Sequence, residues 1–89
     1  MRIVINGCYG GFSVSEDFAK KHNVDKRNET KLRTFKPLID AIEKGEYVDA
    51  PFSNLRVVDI PDEATDYLIN EYDGVESILC VLDGKIVEL

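Results

Sequence analysis

The chain has 89 residues, of which 44% are hydrophobic and 31% charged, and its formal net charge is −6. This size and composition predict one small folded domain over residues 1–89 and exclude an intrinsically disordered chain. They also exclude a membrane-spanning helix, since no stretch approaches 18 apolar residues, and the negative charge argues against broad binding to nucleic acid phosphates.

The first part of the chain predicts a strand, a glycine-rich loop and a helix. Residues 2–6 are mostly apolar and β-branched, which favours a buried strand. The loop over residues 7–14 follows. A helix is then predicted over residues 15–22, because Ser13 and Ser15 are both suitable N-caps and acidic residues follow at once.

A second short helix is predicted over residues 37–44. Pro37 suits the first turn of a helix, because it has no backbone N–H to leave unpaired there, and Gly45 is the expected stop. The segment between the two helices, residues 23–36, is polar and predicts irregular structure. The two helices are therefore expected to be separated by a long surface loop.

The remainder of the chain predicts four strands. They lie at residues 55–60, 67–72, 76–82 and 85–89. The turn between the last two, Asp83-Gly84, is typical of a type I′ hairpin, because both residues tolerate a positive φ. A helix over residues 62–71 is the alternative for the second of these strands. The prediction is an α+β fold in which two short helices cover one face of a small, mostly antiparallel sheet.

Charge is unevenly placed along the chain. Residues 20–36 carry a net charge of +5, whereas residues 37–89 carry −10. The asymmetry predicts an anion-facing side and an acidic side, and a solvated surface loop is the alternative for the basic segment. The strand at residues 85–89 is expected at a sheet edge, where it is available to pair with another copy, so a homo-oligomer is plausible.

The opening segment INGCYGGFSVSED predicts a site for an anion. A strand, a glycine-rich turn and a helix N-terminus can aim several backbone N–H groups at one point, and glycines allow a ligand to approach the backbone. The spacing matches neither the dinucleotide pattern nor the P-loop. The candidate ligand-binding residues lie in this loop or carry positive charge after it, and they are Asn6, Cys8, Tyr9, Gly10, Gly11, Phe12, Ser13, Ser15, Lys20, Arg27 and Arg33.

The alternative for the same segment is a tight turn without a ligand. In that case the glycines supply positive-φ corners, and Tyr9 and Phe12 pack into the core instead of stacking on a base. Catalysis by Cys8 is not favoured, because the one histidine, His22, is predicted at the far end of the first helix. We therefore expect a non-enzymatic protein.

Cysteine and histidine content also bears on location and cofactors. The apolar stretch within residues 1–6 is too short for a signal peptide, so a cytoplasmic location is expected. Cys8 and Cys80 are expected to be free thiols there, with a disulfide between them as the alternative. One histidine and two distant cysteines supply no zinc site, and we expect neither a metal nor another cofactor.

Two segments of the chain resemble a family of small uncharacterised bacteriophage and prophage proteins. They are INGCYGGFSVS at residues 5–15 and VVDIPDEATDYLINEYDGVE at residues 57–76. The family has I-N-x-C-Y-G-G-F-x-[LV]-S near its start and I-P-D…Y-D-G-x-E later, and it often has Arg where this chain has Gly7. The resemblance implies a phage accessory protein acting in the host cytoplasm, where such proteins frequently counter host defence.

Two functional hypotheses follow. In the first, the opening loop and the basic segment hold an anionic small molecule such as a signalling nucleotide. In the second, the acidic half binds and inhibits a host protein. Neither hypothesis involves a membrane, and nucleic acid is not an expected partner of the chain as a whole.

Overall fold

The computed structural model describes all 89 residues and confirms the α+β class. It has three helices and five strands. No helix combines the length and the apolar character needed to cross a membrane. In chain order the elements are β1 Arg2–Asn6, α1 Glu16–His22, α2 Glu29–Leu32, α3 Lys36–Glu43, β2 Leu55–Asp59, β3 Asp66–Tyr72, β4 Val75–Leu82 and β5 Lys85–Glu88.

The expectation of one sheet is wrong, because the strands form two sheets. β1 pairs antiparallel with β2, while β3, β4 and β5 form a separate antiparallel meander. The reason is that β1 is apolar at three consecutive positions and is buried on both faces. Val4 packs against the helices, whereas Ile3 and Ile5 pack against Ile78 of β4. The β1–β2 pair is therefore a middle layer between the helices and the three-stranded sheet.

The segment predicted as a strand over residues 67–72 is a strand, and the alternative, a helix over residues 62–71, is wrong. β3 pairs with β4 along its whole length, from Asp66 opposite Val81 to Tyr72 opposite Val75. Pairing over seven residues satisfies the backbone groups that a short, weakly amphipathic helix would leave to water. The second half of the chain is therefore a continuous β-meander.

Both hairpin turns of this meander use an Asp-Gly pair with positive φ. The predicted turn at Asp83-Gly84 has φ values of 51° and 74°. Asp73-Gly74, between β3 and β4, has φ values of 53° and 88°. These values fit the type I′ geometry that matches the twist of the paired strands.

The two predicted helices are confirmed within one residue at each end, but a third was missed. Of the two N-cap candidates, Ser15 caps α1, since its hydroxyl oxygen accepts a hydrogen bond from the Phe18 N–H at 3.1 Å. The missed helix, α2, lies inside the segment predicted to be irregular. Asn28 caps it, and Leu32 is its only buried residue. One apolar residue in four has no detectable periodicity, so this helix had no sequence signal.

Candidate functional site

A buried asparagine joins three loops at one end of the molecule. The Asn6 side-chain nitrogen donates hydrogen bonds to the carbonyl oxygens of Cys8, at 2.7 Å, and Gly74, at 2.8 Å. Its side-chain oxygen accepts from the Asn54 N–H at 2.8 Å. Asn6 is fully buried, and its side chain is satisfied by protein groups alone. It therefore holds together the opening loop, the loop before β2 and the turn between β3 and β4.

Two glycines allow the same three loops to touch. The Gly10 N–H donates to the Phe52 carbonyl oxygen at 2.8 Å, and a Cβ on Gly10 would lie 2.7 Å from the Phe52 carbonyl carbon. A Cβ on Gly74 would lie 2.7 Å from the Tyr9 carbonyl carbon. Both distances are too short for a real side chain. The glycines of the opening motif and of the Asp-Gly turn are therefore needed for backbone contact between loops.

Each of the three loops contains or adjoins one exposed aromatic residue, since Tyr72 ends β3 just before the Asp73-Gly74 turn. Tyr9, Phe52 and Tyr72 are 77%, 79% and 84% exposed. Phe52 also has a φ of 66°, an unusual conformation for a bulky residue and one that concentrates at functional sites. We call Tyr9, Phe52 and Tyr72 the three-loop surface. Exposed aromatic residues on adjoining segments are characteristic of binding surfaces.

An ion pair between the buried Glu76 and the partly buried Arg33 adjoins Asn6. One carboxylate oxygen of Glu76 accepts from the Asn6 backbone N–H at 2.8 Å and from Arg33 at 3.0 Å, and the other accepts from Arg33 at 2.7 Å. Arg33 also donates to the Val4 carbonyl oxygen at 3.0 Å and to Glu29 at 3.1 Å. The pair therefore connects α2, β1 and β4 at the point where Asn6 joins the loops.

Arg33 stays charged in this position. Burial lowers the pKa of its guanidinium, but the hydrogen bond and charge of Glu76, with a smaller contribution from Glu29, outweigh burial and leave the pKa raised. The guanidinium carbon also lies 4.6 Å from the centre of the Phe12 ring. The stability that depends on this charge is present below the unfolded-state pKa of arginine and is lost only as pH rises through the still higher folded-state value. It is therefore independent of pH across the neutral range.

The backbone amides of the opening loop are largely occupied. Of the ten N–H groups from Asn6 to Ser15, six donate to acceptors within the protein. The four that do not are those of Cys8, Tyr9, Phe12 and Ser13. The anion beside Arg33 is the chain's own Glu76 carboxylate. The loop as a ligand cradle stays a prediction, and it would rest on these four amides.

The structure brings together only some of the predicted site residues. Phe12 is buried while Tyr9 is exposed, so the two rings do not form a sandwich. Arg33 reaches the loop through Phe12, but Lys20 and Arg27 are exposed on the helical layer and form no ion pair. Serine hydroxyls near the loop serve local roles: that of Ser15 caps α1, and that of Ser13 donates to the Val14 carbonyl oxygen at 3.3 Å.

An open groove of about 420 Å³ lies between the loop, α2 and the three-stranded sheet. Its charged lining consists of one guanidinium, Arg33, and three carboxylates, Glu29, Glu71 and Glu76. The groove is therefore net negative, which disfavours an anionic ligand. Cys8 and Cys80 are free, so the disulfide alternative is wrong, and no group of three or more His, Cys, Asp or Glu side chains is placed to hold a metal ion.

The sequence singles out Asn6, Tyr9 and Arg33, but it does not show which distant segments they contact. Phe52 carried no signal, since it lies in a loop without a motif. The one sequence signal for these contacts was Asn6, a polar residue at the end of a buried strand. Buried polar side chains are normally hydrogen-bonded within the protein. The two segments that carry the phage-family resemblance meet here, because Asn6 bonds to Gly74 and Glu76.

Comparisons of the chain with protein-family models, curated proteins and solved structures found no match.

Proposed function

We propose that this chain is a non-enzymatic, phage-encoded binding protein that engages a host protein through the three-loop surface. The observation that supports this most strongly is the exposure of Tyr9, Phe52 and Tyr72 on loops that a fully buried Asn6 joins together. The phage origin is supported by the sequence resemblance alone.

Rigid support of the aromatic side chains favours binding over mere exposure. A buried hydrogen-bonded residue and two glycines in close backbone contact hold the loops in one arrangement before a partner arrives. Preorganised loops lose little conformational entropy on association, and tyrosine is enriched among the residues that dominate interface energies. The backbone of Phe52 is strained, yet its exposed ring takes no part in core packing. This combination supports a role for the ring in contacting a partner.

Charge around the surface indicates the kind of partner. Residues 60–89 hold eight acidic residues and one basic residue, Lys85. Asp73 follows Tyr72 in the turn, whereas Glu71 lies on the opposite face of the sheet and lines the groove. A partner with a positively charged contact surface would be attracted, and wrong acidic partners would be repelled. The proposed partner is therefore a basic host protein.

Replacing Tyr9, Phe52 and Tyr72 together with alanine should abolish capture of the partner from a bacterial lysate. Truncation of interface hot spots weakens binding by about 2 kcal/mol or more each, roughly a thirtyfold loss per residue. The matched control is Tyr47→Ala, since Tyr47 is also 79% exposed but lies outside the three loops. Captured proteins are compared by mass spectrometry at low and high salt.

The proposal requires that the wild type and Tyr47→Ala capture the same host protein and that the triple variant does not. High salt should release that protein. Equal recovery by all three chains would contradict it. Thermal melting of each variant provides the folding control, because exposed side chains of this kind change stability by only about 0.5 kcal/mol.

An anionic small molecule is the second candidate. The stacking of Arg33 on Phe12 beside an open groove favours it, but the three carboxylates of the groove oppose it. We expect a panel of nucleotides to leave the melting temperature unchanged. A nucleotide at a hundred times its Kd would stabilise the fold by about 2.7 kcal/mol and raise the melting temperature by roughly 10 °C or more. Such a rise would favour this candidate over protein binding.

A further inference from the structure

One face of the three-stranded sheet has no element packed on it. β1 packs against the inner face, so the residues that alternate with the inner ones point away from the core. The register places Leu68, Leu79, Val81 and Ile86 together on this outer face. Leu68 is 62% exposed and Ile86 75%, and a shallow groove of about 170 Å³ runs between these four side chains. The outer face thus presents a small apolar patch.

The outer face carries negative charge only. Asp66 stands opposite Val81, and Glu88 stands opposite Leu79, so both carboxylates share the face with the apolar patch. No lysine or arginine lies on it, because Lys85 pairs with Leu82 and belongs to the inner side. A complementary surface must therefore supply positive charge.

The helical layer of the same chain supplies such charge. Lys20, Lys21, Arg27 and Lys31 are exposed there, and none of them forms an ion pair within the chain. The β1–β2 layer separates these cations from the outer face. Asp17 and Asp25 are also exposed in this layer and form no ion pair, but the four cations outnumber them. One molecule thus carries two surfaces of opposite charge on opposite layers.

We infer that the outer face of the sheet docks the helical layer of a second copy of this chain. The contact is heterologous, since two different surfaces meet, and repetition would lead to a chain or a ring of copies. Four apolar side chains cover only part of the roughly 800 Å² per partner that a stable interface buries. The association is therefore weak and depends on charge attraction. It uses Leu68 and Ile86 and does not involve Tyr9 or Phe52. Tyr72, which pairs with Val75 on the same side of the sheet, borders both surfaces.

Sedimentation velocity with two charge-reversed variants tests this inference. Asp66→Lys with Glu88→Lys makes the outer face positive. Reversing all four free cations of the helical layer, with Lys20→Glu, Lys21→Glu, Arg27→Glu and Lys31→Glu, makes that layer negative. Each variant alone should sediment as a monomer, because its two docking surfaces now repel. An equimolar mixture should associate again, because each variant offers the surface that the other needs.

The wild type should associate at millimolar concentration in low salt and dissociate at about 1 M salt, where charges are screened beyond about 3 Å. A monomeric wild type under the first condition would overturn the inference. So would a mixture that stays monomeric. Association of the fourfold Lys/Arg→Glu variant by itself would also overturn it, because a sheet-to-sheet dimer does not need the helical cations. None of these outcomes depends on the host partner.

Discussion

Glu76→Ala is expected to lower the free energy of unfolding by about 3–5 kcal/mol. The substitution leaves the partly buried Arg33 guanidinium with only Glu29 as a counter-charge, and it leaves the buried Asn6 N–H without an acceptor. Urea denaturation followed by circular dichroism measures the change. The variant should also loosen the opening loop, which hydrogen exchange at the Asn6 amide detects as a loss of protection.

An ion pair of matched length provides the control. Arg2 and Glu43 are 2.8 Å apart, close to the 2.7 Å between Arg33 and Glu76, but both side chains are exposed. Glu43→Ala should therefore change the free energy of unfolding by no more than about 1 kcal/mol. Similar losses for the two alanine variants would show that burial does not distinguish the pairs. Such a result would contradict the role assigned to Glu76.

Gly74→Ala is expected to destabilise the protein by about 2–5 kcal/mol. Alanine at this position would have to keep a positive φ, which L-residues with a Cβ disfavour. Its Cβ would also overlap the backbone of Tyr9, which cannot move without breaking the contact between the two loops. The conformational part of this loss is about 1–2 kcal/mol, and steric overlap adds about 1–3 kcal/mol. Denaturation midpoints with an unchanged m-value give the difference directly.

Gly84→Ala separates the two contributions. Gly84 follows Asp83 as Gly74 follows Asp73, and its φ of 74° is close to the 88° of Gly74, but nothing lies within 4 Å of its Cβ position. Its variant should therefore lose only the conformational part. If Gly74→Ala lost no more than Gly84→Ala, the close approach of the loops would have no energetic importance. Binding of the proposed host partner should follow the same order, because Gly74 contacts the Tyr9 loop and Gly84 does not.

Several parts of the fold followed from local chemistry. The apolar run of β1, the Asp83-Gly84 turn and the N-cap Ser15 each specify a structure through their immediate neighbours. α2 did not, because its one buried residue, Leu32, gives no repeat to detect. The prediction of a single sheet was also wrong, because hydrophobic alternation indicates which segments are strands but not which strands pair.

The candidate site divides in the same way. The opening motif drew attention to one of the three loops that meet around Asn6, and Arg33 of the basic segment lies against Phe12 of that loop. It could not show that the anion beside Arg33 would be Glu76, which lies 43 residues further along the chain. It also gave Phe52 no role, because nothing in the sequence near Phe52 indicates that Gly10 packs on its backbone.

By itself, the sequence determined the class of fold, most of its strands and helices, and the uneven charge of its two halves. These properties depend on side-chain size, polarity and backbone preference within a few residues. Only the tertiary structure decided that three separate loops meet around Asn6 and that Gly10 and Gly74 let their backbones touch. Contacts between distant segments depend on how the whole chain packs around a shared core, and no local sequence pattern predicts them.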